Sequence, residues 1–176
     1  IIKIDSVYSK TIEKENILYV RVINFDKNVV KKTKEAISKN REAKGIILDL
    51  RNNPGGLLNQ AVGLTDLFVE KGAIVSQKGR YEDQNSVYTA TKVGTISDTP
   101  LVVLINGGSA SASEIVSGAL QDHKRAVLVG EKTFGKGSVQ VILPVDQEEA
   151  LRLTIARYYL PSGRTIQAVG VTPDIT

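Results

Sequence analysis

The sequence of 176 residues contains no cysteine, methionine or tryptophan, and it has a single histidine. The absence of cysteine excludes disulfide bonds, zinc sites with thiolate ligands and a cysteine nucleophile. No stretch reaches the roughly 18 consecutive apolar residues that indicate a membrane-spanning helix, and no signal peptide is recognisable. Because the chain also opens without methionine, we expect it to be part of a longer protein.

Strong charge is missing as well. The net charge is only +4, and the lysines are scattered along the chain without forming a run. Such mild basicity gives little support to nucleic-acid binding. With 41% hydrophobic residues, the composition is that of an ordinary globular protein large enough to bury a core. We therefore expect one domain over residues 1–176, without nucleic acid as a partner.

What is present is an alternation of short apolar strands and amphipathic helices. Continuous or alternating apolar runs predict strands over residues 17–23, 45–50, 100–105 and 126–129. Helical spacing predicts helices over residues 26–40, 57–69 and 111–121. Residues 73–92 and 138–159 have the pattern of two hairpins. The predicted fold class is therefore α/β with added antiparallel hairpins.

Two of the buried strands end in glycine-rich loops, and each loop leads into a helix. The first loop, at residues 51–56, reads RNNPGG, and the second, at residues 106–111, reads NGGSAS. Ligands of such sheets bind beyond the carboxyl ends of the strands. A third glycine-rich segment, at residues 130–137, allows three interpretations.

The first interpretation is a phosphate-binding loop, because Gly130 and Gly135-Lys136 have the spacing of that motif. The serine or threonine that would follow the lysine is replaced by Gly137. The next residues alternate like a strand, whereas a phosphate-binding loop must open a helix. The pattern therefore speaks against nucleotide binding.

The second interpretation pairs a serine nucleophile with His123. Ser111 would begin a helix, and His123 lies just beyond the other end of it, about 18 Å away at the rise of an α-helix. The imidazole is therefore too distant to act as base for this hydroxyl. We expect His123 to have a structural role near the helix C-terminus, where a cation is favoured.

The third interpretation is a serine hydrolase in which Lys136 is the base of Ser111. Ser111 lies where a strand and a loop lead into a helix, beside backbone N–H groups that a helix N-terminus leaves free. Ala112 and the Gly55-Gly56 turn would supply two amides to the oxyanion of a tetrahedral intermediate. Burial of Lys136 beside Phe134 would favour its neutral amine, which can take the serine proton.

Simpler explanations exist for each of these residues. Ser111 and Glu114 have the spacing of a helix capping box, which requires no catalysis. Ser109 and Ser113 compete with Ser111 for the role of nucleophile. A lysine such as Lys136 is in most proteins a solvated surface residue. The functional interpretation depends on the combination of the three glycine-bearing segments in this order.

Four segments together resemble the carboxy-terminal processing peptidases, also called tail-specific proteases. The resemblance extends from about residue 15 to the end of the chain, and it is strongest in residues 49–56, 106–114, 130–140 and 157–164. It implies a fold of the crotonase and Clp-protease type, built from repeated ββα units. It also implies a serine endopeptidase that cleaves unfolded or C-terminal segments of proteins without a metal or organic cofactor.

The same resemblance assigns roles to individual residues. It implies that Ser111 is the nucleophile, that Lys136 is the general base, and that Gln140 orients the lysine. On an alternating strand, positions 136 and 140 share a face, so this spacing is compatible with the role. The oxyanion hole would consist of the Ala112 amide and a glycine of the Gly-Gly turn. The substrate would bind extended at a strand edge.

One part of the family pattern is missing from the sequence. The family usually has a PDZ domain, and this chain has no glycine-leucine carboxylate-binding loop. Residues 1–6 resemble the strand that leaves such a domain. The resemblance implies an extracytoplasmic location, and it leaves the oligomeric state open. The rival hypothesis is a non-catalytic module of the same fold that binds peptides or hydrophobic ligands; an amidase or esterase would use the same two residues.

Overall fold

The computed structural model describes residues 5–96, 98–146 and 149–176. Its elements follow one another as β1 (Val7–Ile12), β2 (Ile17–Val22), α1 (Val29–Lys39), β3 (Gly45–Asp49), α2 (Leu58–Asp66), β4 (Ala73–Gly79), β5 (Ser86–Thr89), β6 (Leu101–Ile105), α3 (Ala112–Asp122), β7 (Val127–Gly130), β8 (Ser138–Pro144) and β9 (Ala150–Tyr159). Of residues 1–6, which we predict to leave a preceding domain, residues 1–4 lie outside the described residues.

Five strands form the first sheet, in the order β1-β2-β3-β6-β7. The last four are parallel, and β1 is antiparallel to β2 at one edge. In the middle of the sheet, Leu48 lies opposite Val20 on one side and Val103 on the other, and all three are fully buried. Central parallel strands covered on both faces require such continuous apolar runs. The carboxyl ends of β3 and β6 therefore lie side by side.

The second sheet is antiparallel, in the order β5-β4-β9-β8. It joins the core through β4, in which Ile74 and Val75 are buried, and through Tyr158 of β9. Helices α2 and α3 pack against each other and against β4. None of the helices in the described ranges is both long and apolar enough to cross a membrane. The α/β class with added hairpins is confirmed.

The predicted elements agree with the structure except at three places. Helix α1 begins at Val29, three residues after its predicted start at residue 26. Strand β1 is missed, because five of its six residues are exposed and no apolar alternation marks it. Helix α2 ends at Asp66, although the apolar period continues to Val69. Phe68 and Val69 are buried in the turn that follows, so they enter the core without being helical.

The two rejected interpretations of the glycine-rich segment are consistent with this fold. The residues after Gly137 form β8, so no helix follows as a phosphate-binding loop would require. His123 lies at the C-terminal end of α3, and its Nε2 is 2.7 Å from the carbonyl oxygen of Ala73. The imidazole therefore fastens the helix end to β4, as its structural role requires.

Gly130, at the end of β7, allows a test of how tightly the parallel strands are connected. Its φ is +128°, and a Cβ there would lie 2.1 Å from the carbonyl oxygen of Ile105. We expect Gly130→Ala to lower the free energy of unfolding by about 3 kcal/mol or more, because a backbone atom must move. Gly163→Ala is the control, since its φ is +86° but no atom lies within 4 Å. It should cost about 1–2 kcal/mol. Equal losses in urea unfolding would contradict this packing.

Candidate active site

Ser111 stands at the junction between the loop after β6 and the start of α3. Its φ is +55° and its ψ is −112°, which is a strained backbone conformation for a residue with a side chain. An ordinary N-cap residue has β-region angles, so capping alone does not require this conformation. Strain of this kind is typical of functional positions, and it separates Ser111 from an ordinary capping serine.

The carboxylate of Glu114 connects Ser111 to the loop that carries Lys136. Glu114 is fully buried, and its Oε2 accepts hydrogen bonds of 2.8 Å from the amides of both Ser111 and Lys136. Its Oε1 accepts from the Gly135 amide and the Thr133 hydroxyl, both at 2.6 Å. The backbones of residues 111 and 136 therefore lie within two hydrogen-bond lengths of each other. The capping box is present, and its carboxylate also joins two distant segments.

A C-terminal segment, residues 165–171, holds the same lysine loop from its other side. Gln167 Oε1 accepts from the Gly137 amide at 3.0 Å, and the Ala168 amide donates to the Gly135 carbonyl oxygen at 2.8 Å. Ala168 has a φ of +60°, a further strained backbone conformation. The backbone on both sides of Lys136 is thus fixed by segments far away in the sequence.

Asn53 holds the Gly-Gly turn against the start of α3. Its buried side chain donates to the Val22 carbonyl oxygen at 2.8 Å and accepts from the Gly55 amide at 2.9 Å. A Cβ on Gly55 would lie 2.9 Å from Ser111 Cβ and 3.0 Å from the Ala112 nitrogen. This close approach requires glycine at position 55.

The three amides predicted for the oxyanion hole differ in their hydrogen bonding. The Gly55 amide is already bonded to Asn53, so it is not free for an oxyanion. The amides of Gly56 and Ala112 donate to no partner within the part of the chain that the structure describes. Gly56 has a φ of +146°, and a Cβ there would lie 2.4 Å from the Phe25 carbonyl oxygen. Gly56 and Ala112 are therefore the two candidate donors beside Ser111.

The neighbouring serines do not fit the role of nucleophile. Ser109 and Ser113 are completely buried. The Ser109 hydroxyl donates to the Leu50 carbonyl oxygen at 2.8 Å, and the Ser113 hydroxyl donates to the Asn53 carbonyl oxygen at 2.9 Å. Both hydroxyls stabilise the loops around Ser111, which is itself only partly buried.

The prediction that Lys136 is buried is wrong for this structure. The side chain is exposed, and Phe134, expected to cover it, is itself 69% exposed. No hydrogen bond joins Lys136 Nζ to Ser111 among residues 5–96, 98–146 and 149–176. The glycines on both sides of the lysine are buried. The glycines of this loop are therefore buried, whereas the lysine side chain extends into solvent because the loop lies at the surface.

Gln140 lies on β8, with its Nε2 3.5 Å from Thr154 Oγ1 on the neighbouring strand β9. Its side chain is exposed, and within the described residues it forms no bond to Lys136. The strand pair has a β-bulge between Val139 and Gln140. Bulges change the direction of side chains and are frequent beside active sites. The predicted role of Gln140 stays a prediction.

Asp49, at the end of β3, fixes the first residues of the Gly-Gly loop. Its fully buried carboxylate receives two side-chain hydrogen bonds from Arg51, at 3.0 and 2.7 Å, and one from the Tyr19 hydroxyl. Burial alone would raise the pKa of Asp49, but the hydrogen bonds from Arg51 and Tyr19 outweigh it. The pKa of this carboxyl is therefore held below its usual value of 3.8.

Several residues that shape the site are not marked by any pattern in the sequence. Asn53, Thr133 and Gln167 act through side-chain hydrogen bonds to segments 19 to 38 residues away. Local periodicity does not report such pairings. The one available signal is the capping-box spacing of Glu114, which marks a carboxylate near Ser111 but not its second partner.

Comparison with known proteins places the chain among peptidases. The model of peptidase family S41 matches residues 16–176. A carboxy-terminal-processing protease of Bartonella bacilliformis is 52% identical in an alignment of 164 residues that covers 89% of this chain and 38% of that protein. A chloroplastic C-terminal processing peptidase of Tetradesmus obliquus is 37% identical, covering 92% of this chain and 35% of that protein.

Among solved structures, the photosystem II D1 C-terminal processing protease superposes with a TM-score of 0.88 at 33% identity. The match covers 99% of this chain and 48% of that chain. The chain thus spans less than half the length of each of these three proteins. The resemblance to carboxy-terminal processing peptidases that the four motifs indicate is confirmed.

Replacing Glu114 by glutamine tests whether its carboxylate holds the two loops together. The amide nitrogen of Glu114→Gln would face two donors that now share one oxygen. We expect the free energy of unfolding to fall by about 2–4 kcal/mol, with faster hydrogen exchange at the Gly135 and Lys136 amides. The exposed Glu131→Gln is the matched control. A loss below about 0.5 kcal/mol in urea unfolding would contradict this role.

The lowered pKa of Asp49 predicts a pH dependence of stability. Because the folded pKa lies below the unfolded one, the stabilisation is complete above about pH 4 and is lost as the pH falls through the folded pKa. We expect the unfolding free energy of the wild type to fall more steeply below pH 4 than that of Asp49→Asn. Urea unfolding at pH 7, 4 and 3 measures the two slopes, with exposed Asp83→Asn as control. Parallel curves would show that Asp49 is not the titrating group.

Proposed function

The chain belongs to peptidase family S41, and we propose that it is the catalytic core of a serine endopeptidase of the carboxy-terminal processing type. The observation that carries the proposal is the shared bonding of the Ser111 and Lys136 amides to one buried carboxylate. This arrangement holds the backbone of the proposed nucleophile next to the backbone of the proposed base. It does so even when the two side chains are not hydrogen-bonded to each other. The strained backbone of Ser111 supports the same assignment.

The reaction begins when Ser111 Oγ attacks the carbonyl carbon of the scissile peptide bond. Lys136 Nζ takes the hydroxyl proton as the new C–O bond forms. The ammonium of Lys136 then donates a proton to the leaving amine, and the C–N bond breaks to give an acyl-enzyme. Water attacks the ester, Lys136 accepts a proton from it, and the carboxylate product leaves as the serine regains its hydrogen.

The oxyanion of each tetrahedral intermediate would accept hydrogen bonds from Gly56 and Ala112. Both amides lack a partner within the described ranges, and the close contact of Gly55 with Ser111 brings the two donors beside the nucleophile. Backbone donors fixed in advance lose little free energy to reorganisation when charge develops. Asn53 contributes indirectly, because it orients the turn.

Lys136 must be a neutral amine when it accepts the serine proton. It is exposed in the free protein, so the desolvation has to come from the bound substrate. A polypeptide lying across the loop, with the exposed Phe134 beside it, would exclude water from the lysine. The proposed function thus links activity to a substrate long enough to cover this loop. Gln140 would orient the lysine in that complex.

Finer features of the whole protein are also proposals. The order of strands and helices around the parallel sheet is compatible with the ββα repeats of the crotonase and Clp-protease type. The chain spans 38% of the length of its Bartonella relative, so a substrate-binding PDZ domain would belong to the remainder. We place the protein outside the cytoplasm, which agrees with the chloroplastic relative of Tetradesmus obliquus. Unfolded or C-terminal protein segments are the proposed substrates.

Substitution of the two reacting residues tests the proposal. The full-length protein is incubated with an unfolded protein substrate, and the release of peptides is followed for the wild type, Ser111→Ala and Lys136→Ala. We expect both variants to lose at least about 1,000-fold in kcat/KM, because each removes a group that reacts directly. Lys132→Ala, an exposed lysine of the same loop, should retain wild-type activity.

A fluorophosphonate probe separates the rival functions. It should label the wild type at Ser111 and leave Ser111→Ala unlabelled. A protein that binds unfolded peptides without labelling or cleavage would be a binding module, and the peptidase proposal would then be wrong. Retained cleavage by Ser111→Ala would place the nucleophile elsewhere.

A further inference from the structure

Strand β8 offers an open sheet edge that begins two residues after Lys136. It is the last strand in the order β5-β4-β9-β8, and its outer side pairs with no other strand in the described part of the chain. The outer edge of β7 is occupied, because Gly130 donates to the Ile175 carbonyl oxygen and Ile175 donates to Leu128. Among the open edges, β8 is the one that the chain connects directly to the candidate base.

The alternation of backbone hydrogen bonds along β8 shows which of its N–H and C=O groups face away from β9. Val145 donates to the Glu149 carbonyl oxygen at 2.9 Å, and the Gly137 carbonyl oxygen accepts from Tyr158 at 2.7 Å. Residues 137 and 145 thus bond toward β9. The β-bulge between Val139 and Gln140 leaves Ile155 of β9 without a partner and adds no residue to β8, so the alternation along β8 continues. The N–H and C=O groups of Ser138, Gln140 and Ile142 therefore point away from β9.

Pro144 is the next outward position in this series, and proline has no N–H group. Proline is tolerated in a sheet only where its missing N–H does not interrupt the ladder, which is the case here. Its position also ends the row of outward donors after Ile142. A strand added to this edge would therefore find three N–H donors, beginning beside Lys136 and ending at Pro144.

The same hairpin exposes large apolar side chains on both of its faces. Ile142 is 65% exposed, and Leu143 on the opposite face is 47% exposed. Leu143 pairs with Leu151 on β9, which is 49% exposed, so the two leucines form an exposed apolar cross-strand pair. Exposed apolar side chains next to an open strand edge fit an extended polypeptide that has apolar side chains of its own.

We propose that the edge of β8 from Ser138 to Ile142 binds the substrate polypeptide as an added antiparallel or parallel strand. The inference rests on the proposed function and names the surface that guides a substrate to Ser111. The backbone pairing accepts many sequences, while Ile142 and Leu143 favour apolar ones. The added strand would also cover the Lys136 loop, which supplies the desolvation that the free protein lacks.

Peptide binding to the full-length protein tests the edge without requiring cleavage. The Ser111→Ala background removes turnover, and fluorescence anisotropy follows a capped, labelled decapeptide of alternating valine and serine. Ile142→Pro removes one outward N–H and leaves the bonds to β9 intact. We expect its Kd to rise about five- to tenfold, as for the loss of one backbone hydrogen bond. Ile142→Ala keeps the N–H and should weaken binding less than the proline variant.

A second measurement uses the peptide and does not depend on the folding of a variant. A strand pairs with one neighbour through every second amide, so N-methylation of one alternate set should abolish binding and methylation of the other should not. Equal effects of the two sets, equal Kd values for the alanine and proline variants, or no binding to Ser111→Ala would overturn the proposal. If Ile142→Pro binds the peptide as before but has a lower mass in ultracentrifugation than the protein with Ile142, the edge would instead bind a second copy of the chain. Probe labelling of Ser111 reports the catalytic site independently of all these outcomes.

Discussion

The buried carboxylate of Glu114 is the interaction on which the candidate site depends. A charge without water is costly, and four donors offset that cost here. Because these donors come from α3 and from the loop before β8, the carboxylate can be satisfied only when the two segments meet. The requirement to satisfy one buried group thus enforces the proximity of Ser111 and Lys136. Asn53 and Gln167 extend the same principle to the neighbouring turns.

The structure combines a rigid backbone with an exposed reactive side chain. The glycines on both sides of Lys136 are buried and hydrogen-bonded, whereas the lysine itself extends into solvent beside Phe134. Such an arrangement fixes the backbone of the proposed base and leaves its side chain in contact with solvent. Under the proposed function, a substrate that occupies the loop would also complete the catalytic environment.

Much of the fold follows from local patterns, and its exceptions have physical reasons. Strands such as β3 and β6 are recognisable because central parallel strands must be apolar on both faces. Helix α1 is recognisable because only one of its faces is buried. Strand β1 lacks such a pattern, since an exposed edge strand needs only backbone pairing with β2. Phe68 is buried although it lies beyond the end of α2. Apolar residues at helical spacing can therefore continue past the last helical residue.

By itself, the sequence determined that no cysteine is available and that His123 lies beyond the far end of the helix that Ser111 precedes, and it predicted a serine and a lysine for the site. It also determined the order of strands and glycine loops that brings those groups to one edge of the sheet. Only the tertiary structure showed that Ser109 and Ser113 are buried whereas Ser111 is partly exposed. It also showed that the Gly55 amide is bonded to Asn53, whereas the Gly56 amide donates to no partner within the described residues. Only the structure corrected the expected burial of Lys136. The physical reason is that hydrogen-bond partners and solvent exposure are set by segments distant in sequence, which no local pattern encodes.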